Sequence, residues 1–347
     1  MRHMIFGESH GPAIGVVLEG VPAGLDLDLE AVQRELDRRK PGQDPTATAR
    51  KESDLVEVLS GVFEGKTTGA PLAMVIRNGD QHSRDYESIR FTPRPSHGDY
   101  AGFIKSGGCL DYRGGGHFSG RLTAPLVAAG AVARQALAGQ GVWVGAHISA
   151  IYGILDAPLA DVAELKSLPA KDFPVLDDAK GEEMRRAILD AKNDQDSVGG
   201  SIECVVAGLP AGAGAPDFGK NVEGIFAQHL FAIPAVKAVE FGLGTGFAYA
   251  RGSEANDPFA VKDGRVVTKT NLAGGINGGL TNGMPVVFTA TFRPTPSIAL
   301  PQESVDLRTG EEVELEIKGR HDPCVVPRAV PVVEAAAALA ACEVLGL

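Results

Sequence analysis

Three histidines stand where a packed core would seldom put them. His10 lies in FGESHG (6–11), His97 in PRPSHGDY (93–100) and His321 in KGRHDPC (318–324), each beside glycine, arginine or proline. Imidazole is the side chain best suited to exchange a proton near neutral pH, so these positions are candidates for acid–base chemistry. Taken singly, each is equally well a polar loop residue. Asp322 follows His321 directly and serves either as a turn cap or as a carboxylate partner. Ser9 beside His10 suggests a nucleophilic serine, but neighbours in sequence rarely form such a pair. No H-x-x-x-H or comparable spacing supports a metal site.

Arginine supplies the second signal. It sits beside glycine or proline in DRRKPG (37–42), PRPSHGDY, DYRGGGHFSGR (111–121), FRPTPS (292–297) and KGRHDPC. Glycine-rich backbone lets an anion approach N–H groups, and a guanidinium holds carboxylate or phosphate through two parallel bonds. The pattern points to an anionic small-molecule ligand. DYRGGGHFSG suits backbone wrapped around a phosphate or a planar ring, although flexible turns look the same. It matches neither the P-loop pattern nor a dinucleotide fingerprint.

The 347 residues carry a net charge of -11, which argues against a general nucleic-acid binder. No apolar run is long enough to span a bilayer and the N-terminus shows no secretory signal, so a cytoplasmic protein without membrane partners is expected. Cys109, Cys204, Cys324 and Cys342 are widely spaced and read as reduced thiols.

The elements that must position these residues follow from periodicity. A strand is expected in AIGVVLEGVP after the first glycine turn. A helix capped by Asp28, with Leu29, Val32 and Leu36 as its apolar face, ends before Pro41-Gly42 and carries Arg38 and Arg39 in its last turn. DLVEVLSGVF and APLAMVIRN read as strands, residues 79–100 as loop, and residues 121–139 as an alanine-rich helix with Pro125 in its first turn. Residues 142–154 then read as a strand and 177–193 as a charged helix. Beyond them come a strand within 196–210, a helix over 222–231, strands near 236–241, 285–292 and 313–317, and a closing helix over 332–347. Strands and helices alternate without a low-complexity linker, which favours one composite α+β domain over residues 1–347.

Taken together the motifs resemble the chorismate synthase family. FGESHG, DRRKPG, LSGVFEGKTTGAPLAMVIRNGDQHSRDY, RPSHGDY, DYRGGG, DSVGGSIECVVAGLPAG, NLAGGINGGLTNG and GRHDPCVVPRAVPVVEA occur in family order over nearly the whole chain. The resemblance implies a lyase that eliminates phosphate and a hydrogen from 5-enolpyruvylshikimate 3-phosphate to give chorismate, with reduced FMN required though no net redox change occurs. It implies a β-α-β sandwich with helices between antiparallel sheets, a homotetramer, and a flavin reductant external to this chain. It further implies that His10, with Ser9 beside it, protonates the departing phosphate. His97 lies near the flavin's pyrimidine edge and Asp322 near its N5. Arg39, Arg94, Arg121 and Arg320 would clamp substrate and cofactor. FMN contacts would come from His117, Phe118, Ser119, Pro234, Ala235, Gly278, Arg293, Pro294, Thr295, Pro296, Ser297, Arg320 and Arg39.

The chain departs from the family pattern in places. HFSGRLTA replaces the usual R-S-S-A-R-E-T-A, Pro234 replaces an asparagine, Arg293 a lysine, and Pro45 a further arginine. Two other readings remain at this stage: an inactive relative that binds FMN or an anionic metabolite, and a flavin oxidoreductase. The retained His10, His97 and Asp322 speak against the first, the missing nicotinamide fingerprint against the second.

Overall fold

Two antiparallel sheets enclose a layer of helices, and the element order explains how the arginine and histidine segments reach one place. The computed structural model describes residues 1–42, 44, 46, 52–79, 89–317 and 321–347; Arg320 and Pro45 lie outside these. Strands β1 (Arg2–Gly7) and β2 (Ala13–Glu19) form a hairpin whose turn is the ESHG stretch. Helix α1 (Leu29–Arg39) follows, with the Asp28 side chain accepting from Ala31 N as expected, Val32 and Leu36 buried, and Arg38 and Arg39 in its last turn. Strands β3 (Val56–Ser60) and β6 (Leu72–Arg77) complete a sheet of order β1-β2-β6-β3, and β4 (Val62–Phe63) and β5 (Lys66–Thr67) form a separate small hairpin between them in sequence. Its inner face is Ile14, Val16, Leu18, Leu72, Met74 and Ile76, the alternation of a half-buried sheet.

Helix α2 (Asp99–Lys105) begins inside the stretch expected to be loop, and the alanine-rich helix is α3 (Thr123–Ala138), with Pro125 in its first turn. Strands β7 (Trp143–Ile151) and β8 (Ile154–Leu155), helix α4 (Asp178–Asn193), β9 (Gly200–Ala207), α5 (Val222–Phe231) and β10 (Val236–Phe241) follow. The chain then forms a short helix α6 (Gly252–Ala255), the hairpins β11 (Phe259–Lys262) with β12 (Arg265–Thr268) and β13 (Ile276–Asn277) with β14 (Leu280–Thr281), and strand β15 (Val286–Phe292). A last hairpin, β16 (Gln302–Val305) with β17 (Glu312–Leu315), precedes α7 (Val326–Leu345). The second sheet has order β10-β15-β9-β7-β8, antiparallel throughout.

Between the sheets, α3 packs on β2 and β6, α7 packs on β7 and β9, and the two helices pack on each other. Their approach is close because Gly130 faces Ala335: a Cβ at 130 would lie 2.2 Å from that of Ala335. Helix α7 is apolar on almost every face, the signature of a helix buried all round. It begins at Val326, not at Val332 as expected from the sequence. Pro327 occupies its first turn, where no N–H is needed, and Pro331 is carried in the interior because burial outweighs one lost hydrogen bond. Inside this layer Glu334 accepts from Arg38 at 2.6 Å, Arg134 at 3.0 Å and Ala146 N at 3.0 Å, tying α1, α3, α7 and β7 together.

Candidate active site

A cavity of about 400 Å³ opens at one end of the helical layer, within the size range of small-molecule sites. Its wall joins the end of α1 (Arg39), the 94–98 loop, the 114–121 segment, the 233–237 segment, the 292–297 turn, and His321, Asp322 and Arg328 around the start of α7. Sequence segments as far apart as residues 39 and 328 therefore meet on one surface.

Buried arginines form its floor. Arg39 and Arg121 share the carboxylate of Asp54: Arg39 Nη1 donates at 2.7 Å, and Arg121 Nη1 donates to the other oxygen. Arg121 also pairs with Glu52 at 2.6 Å, and its Nε donates to Asn78 Oδ1 at 3.1 Å. Arg39 Nε reaches Thr123 Oγ1 at 3.1 Å. Burial pushes the Arg39 guanidinium down to about 10, and the nearby cations Arg328 and Arg121 push the same way against Asp54. It stays cationic at neutral pH. Burial raises the Asp54 carboxyl, but Arg39 and Arg121 outweigh it and hold the group below the usual carboxylate range. Arg328 pairs with Asp322 through Nη1 and donates to Arg39 O at 3.1 Å through Nε.

The guanidiniums differ in what they have left to give. Among the described residues, no hydrogen bond involves Nη2 of Arg39 or of Arg121. Arg94, by contrast, has Nε and Nη2 on Asp99 (2.7 and 2.9 Å) and Nη1 on Ser297 Oγ at 3.1 Å. Lys237, on the β10 wall, forms no ion pair among the described residues. Two-pronged pairing fixes a guanidinium in place before any ligand arrives, which is what preorganised anion recognition requires.

The RGGG run explains how the histidines reach this wall. Gly114 and Gly115 have φ of +59° and +85°, values that L side chains avoid. A Cβ on Gly114 would lie 2.3 Å from His10 Nδ1 and 2.7 Å from Ser9 Oγ. One on Gly115 would lie 3.0 Å from His97 Cε1 and 3.3 Å from its Nε2. Backbone without side chains is thus laid against both imidazoles. Ser9 and His10 are buried directly behind Gly114, and Ser9 N donates to Gly116 O at 3.1 Å. Asn78 Nδ2 clasps the turn through Glu8 O (3.1 Å) and Gly11 O (2.9 Å) while its Oδ1 takes the Arg121 bond, so the FGESHG turn and the arginine floor share one anchor.

Of the residues singled out from sequence, the cavity wall collects Arg39, Arg94, His97, Phe118, Ser119, Arg121, Pro234, Ala235, Arg293, Thr295, Pro296, Ser297 and Asp322. Ser9 and His10 lie one layer behind. His117 bonds Gly7 O at 3.0 Å through Nδ1 and is not on the wall, nor is Pro294. Gly278 lies at the β13–β14 turn, also away from the wall. Phe118 lays its ring over Gly98 and Gly102, at which a Cβ would come within 2.9 and 2.5 Å of it. Asp54, Glu52, Asn78, Asp99, Lys237 and Arg328 went unnoticed as site residues in the sequence. Arg328 stands within the GRHDPCVVPRAV motif and could have been found there; the carboxylates sit in ordinary charged stretches.

Helices sandwiched between two antiparallel sheets define an α+β protein, and a cleft floored by paired arginines marks it as one that handles a small anionic ligand. A family model described as chorismate synthase matches residues 1–345. A chorismate synthase of Methanocella arvoryzae is 52% identical over 340 residues, covering 97% of this chain and 90% of that relative. One of Thermococcus kodakarensis is 50% identical, covering 96% and 92%. A solved structure described as a crystal structure of chorismate synthase superposes with a TM-score of 0.77 at 29% identity, covering 99% of this chain and 91% of that one. The chain belongs to the chorismate synthase family. It is a lyase, and its place is the last step of the shikimate pathway. Among the described residues no helix is long and apolar enough to cross a membrane.

Proposed function

We propose that this chain eliminates phosphate from 5-enolpyruvylshikimate 3-phosphate in the cavity described above, with reduced FMN as cofactor and the whole chain acting as one domain. The observation that carries the reading is the joint presence of preorganised arginines with donors to spare and His97 on one wall, with His10 one layer behind and glycine backbone laid against both imidazoles. The substrate brings two carboxylates and a phosphate; Arg39 and Arg121 meet them through Nη2, with Lys237 beside them. His10 donates a proton to the bridging oxygen as the carbon–oxygen bond breaks, so that less charge develops on the leaving phosphate. Ser9 holds the same turn.

The wall also fits a flavin. Ala235, Pro234, Phe118 and Ile233 give it apolar surface for a planar ring, and Arg293 with the Thr295–Ser297 turn gives polar donors for a phosphate tail. When bound, reduced FMN supplies electron density to the substrate transiently and recovers it. His97 holds a proton on the pyrimidine side and Asp322, oriented by Arg328, serves the side where the substrate's hydrogen leaves. Arg320, His117, Pro294 and Gly278 remain cofactor contacts by family position. The flavin is reduced by a separate cytoplasmic donor. Exposed Phe259, Val261 and Val266 on the β11–β12 hairpin support assembly into a homotetramer, which light scattering checks.

Anaerobic incubation of the protein with the substrate and reduced FMN should release phosphate, and oxidised FMN alone should release none. Equal release under both conditions would sink the electron-donation chemistry.

A further inference from the structure

We propose that Asp99 is a positioning residue for His97: its carboxylate keeps the imidazole proton on Nδ1 and leaves Nε2 as the nitrogen that exchanges a proton with the bound ligand. This rests on the reading of His97 as a proton-transfer group.

The geometry is specific. Asp99 Oδ1 lies 2.6 Å from His97 Nδ1 and 2.9 Å from Arg94 Nη2. Its Oδ2 lies 2.7 Å from Arg94 Nε and 3.1 Å from Arg94 N. Burial raises the Asp99 carboxyl, but hydrogen bonds from Arg94 and His97 outweigh it and hold the group well below the usual carboxylate range. An ionised carboxylate only accepts, so an oxygen at 2.6 Å requires the proton to sit on Nδ1. Arg94 Nη2 also comes within 3.1 Å of Nδ1, yet a guanidinium only donates and cannot take that proton. The fork of Arg94 prevents the carboxylate from rotating away, and Ser297 Oγ in turn anchors Arg94. A chain Ser297–Arg94–Asp99–His97 therefore runs from the turn after β15 to the imidazole, while Gly115 backs the Cε1–Nε2 edge of the ring. A carboxylate needed only to neutralise Arg94 would have no reason to meet Nδ1 as well.

The test labels histidine with ¹⁵N and assigns His97 by its loss in His97→Gln. At a pH where the ring is neutral, the unmodified protein should show His97 protonated at Nδ1. In Asp99→Asn the amide can donate to Nδ1, and the tautomer should shift to Nε2–H. Single-turnover rates should then fall by about 10²–10⁴-fold while substrate binding changes little, with partial recovery in Asp99→Glu. In a His97→Gln background, Asp99→Asn should add almost nothing, because both changes remove one function. An Nε2–H tautomer in the unmodified protein, or equal costs in both backgrounds, would overturn the proposal. The tautomer is read without turnover, so it decides the role of Asp99 even if elimination is not found.

Discussion

Asp54 is the carboxylate on which the arginines of the cavity floor converge. Its side chain is fully buried between Arg39 and Arg121, and each arginine depends on it for orientation. Arg121→Ala would leave that carboxylate with one partner, and breaking a buried pair typically costs about 3–5 kcal/mol. A lowered denaturation midpoint is expected together with a more than tenfold loss of substrate affinity; an unchanged midpoint would show that Asp54 does not need Arg121. His10→Ala should behave in the opposite sense, leaving stability and binding nearly intact while slowing single-turnover chemistry by about 10²–10⁴-fold. A variant with the unmodified rate would return the FGESHG turn to a purely structural role. The contrast also explains what could be read from sequence. His10, His97 and the arginines stand out because glycine and proline around them exclude an ordinary helix or strand face. Asp54 and Glu52, in a run of mixed charge, look like solvated surface, and only the fold brings Arg121 onto them, across 67 residues in the case of Asp54.

At the scale of elements, two close approaches set the tolerances. In the 113–118 segment, Gly114→Ala would combine a left-handed backbone with a methyl 2.3 Å from His10. Activity should drop as far as in His10→Ala, with a stability loss above about 1 kcal/mol, and a variant retaining full activity would show that His10 is free to move. At the α3–α7 contact, Gly130→Val would force the helices apart, and overpacking of this kind typically costs about 1–3 kcal/mol. Thermal melts would register it; an unchanged melt would mean the pair can slide. Helices α1, α3, α4 and α5 were evident from capping, composition and amphipathic spacing. The start of α7 was not, because Pro331 reads as a stop in a sequence and only tertiary burial overrides it. Helix α2 escaped notice because it is short and glycine-containing, with Gly102 rather than a side chain facing the Phe118 ring and Ile104 exposed.

For the whole molecule, pH dependence is governed by buried charge both at the cavity and away from it. His147 sits between Asp156 (2.9 Å) and Glu203 (3.0 Å), linking β7 to β9 and to the segment before α4. Burial lowers its affinity for a proton, but the two carboxylates outweigh that and raise it to about 9. With the folded value above the unfolded one, this cluster contributes stability that is complete below about pH 6.5 and is lost as pH rises through about 9. Asp54, Asp99 and Asp156 are depressed, so their contribution is present above the ordinary carboxylate range and is lost on acidification. Stability should therefore be greatest between these limits, and His147→Gln should remove the alkaline decline specifically. Denaturation midpoints measured from pH 5 to 10 test this; an alkaline decline that persists in the variant would assign it elsewhere.

Helix α7 has a consequence for how the protein is made. It follows in the chain every element it packs against, from α1 and α3 through β7, β9 and α5. While a ribosome is still translating residues 1–325, α3 and the inner face of the second sheet have formed or are forming without the helix that packs on them. Those apolar surfaces stay open until the last helix emerges, a period in which partly built chains stick to one another. The organisation that buries α7 on almost every side thus makes synthesis a vulnerable interval. Slower translation or a shortage of chaperones would reduce the yield of this protein well before either altered the folded molecule.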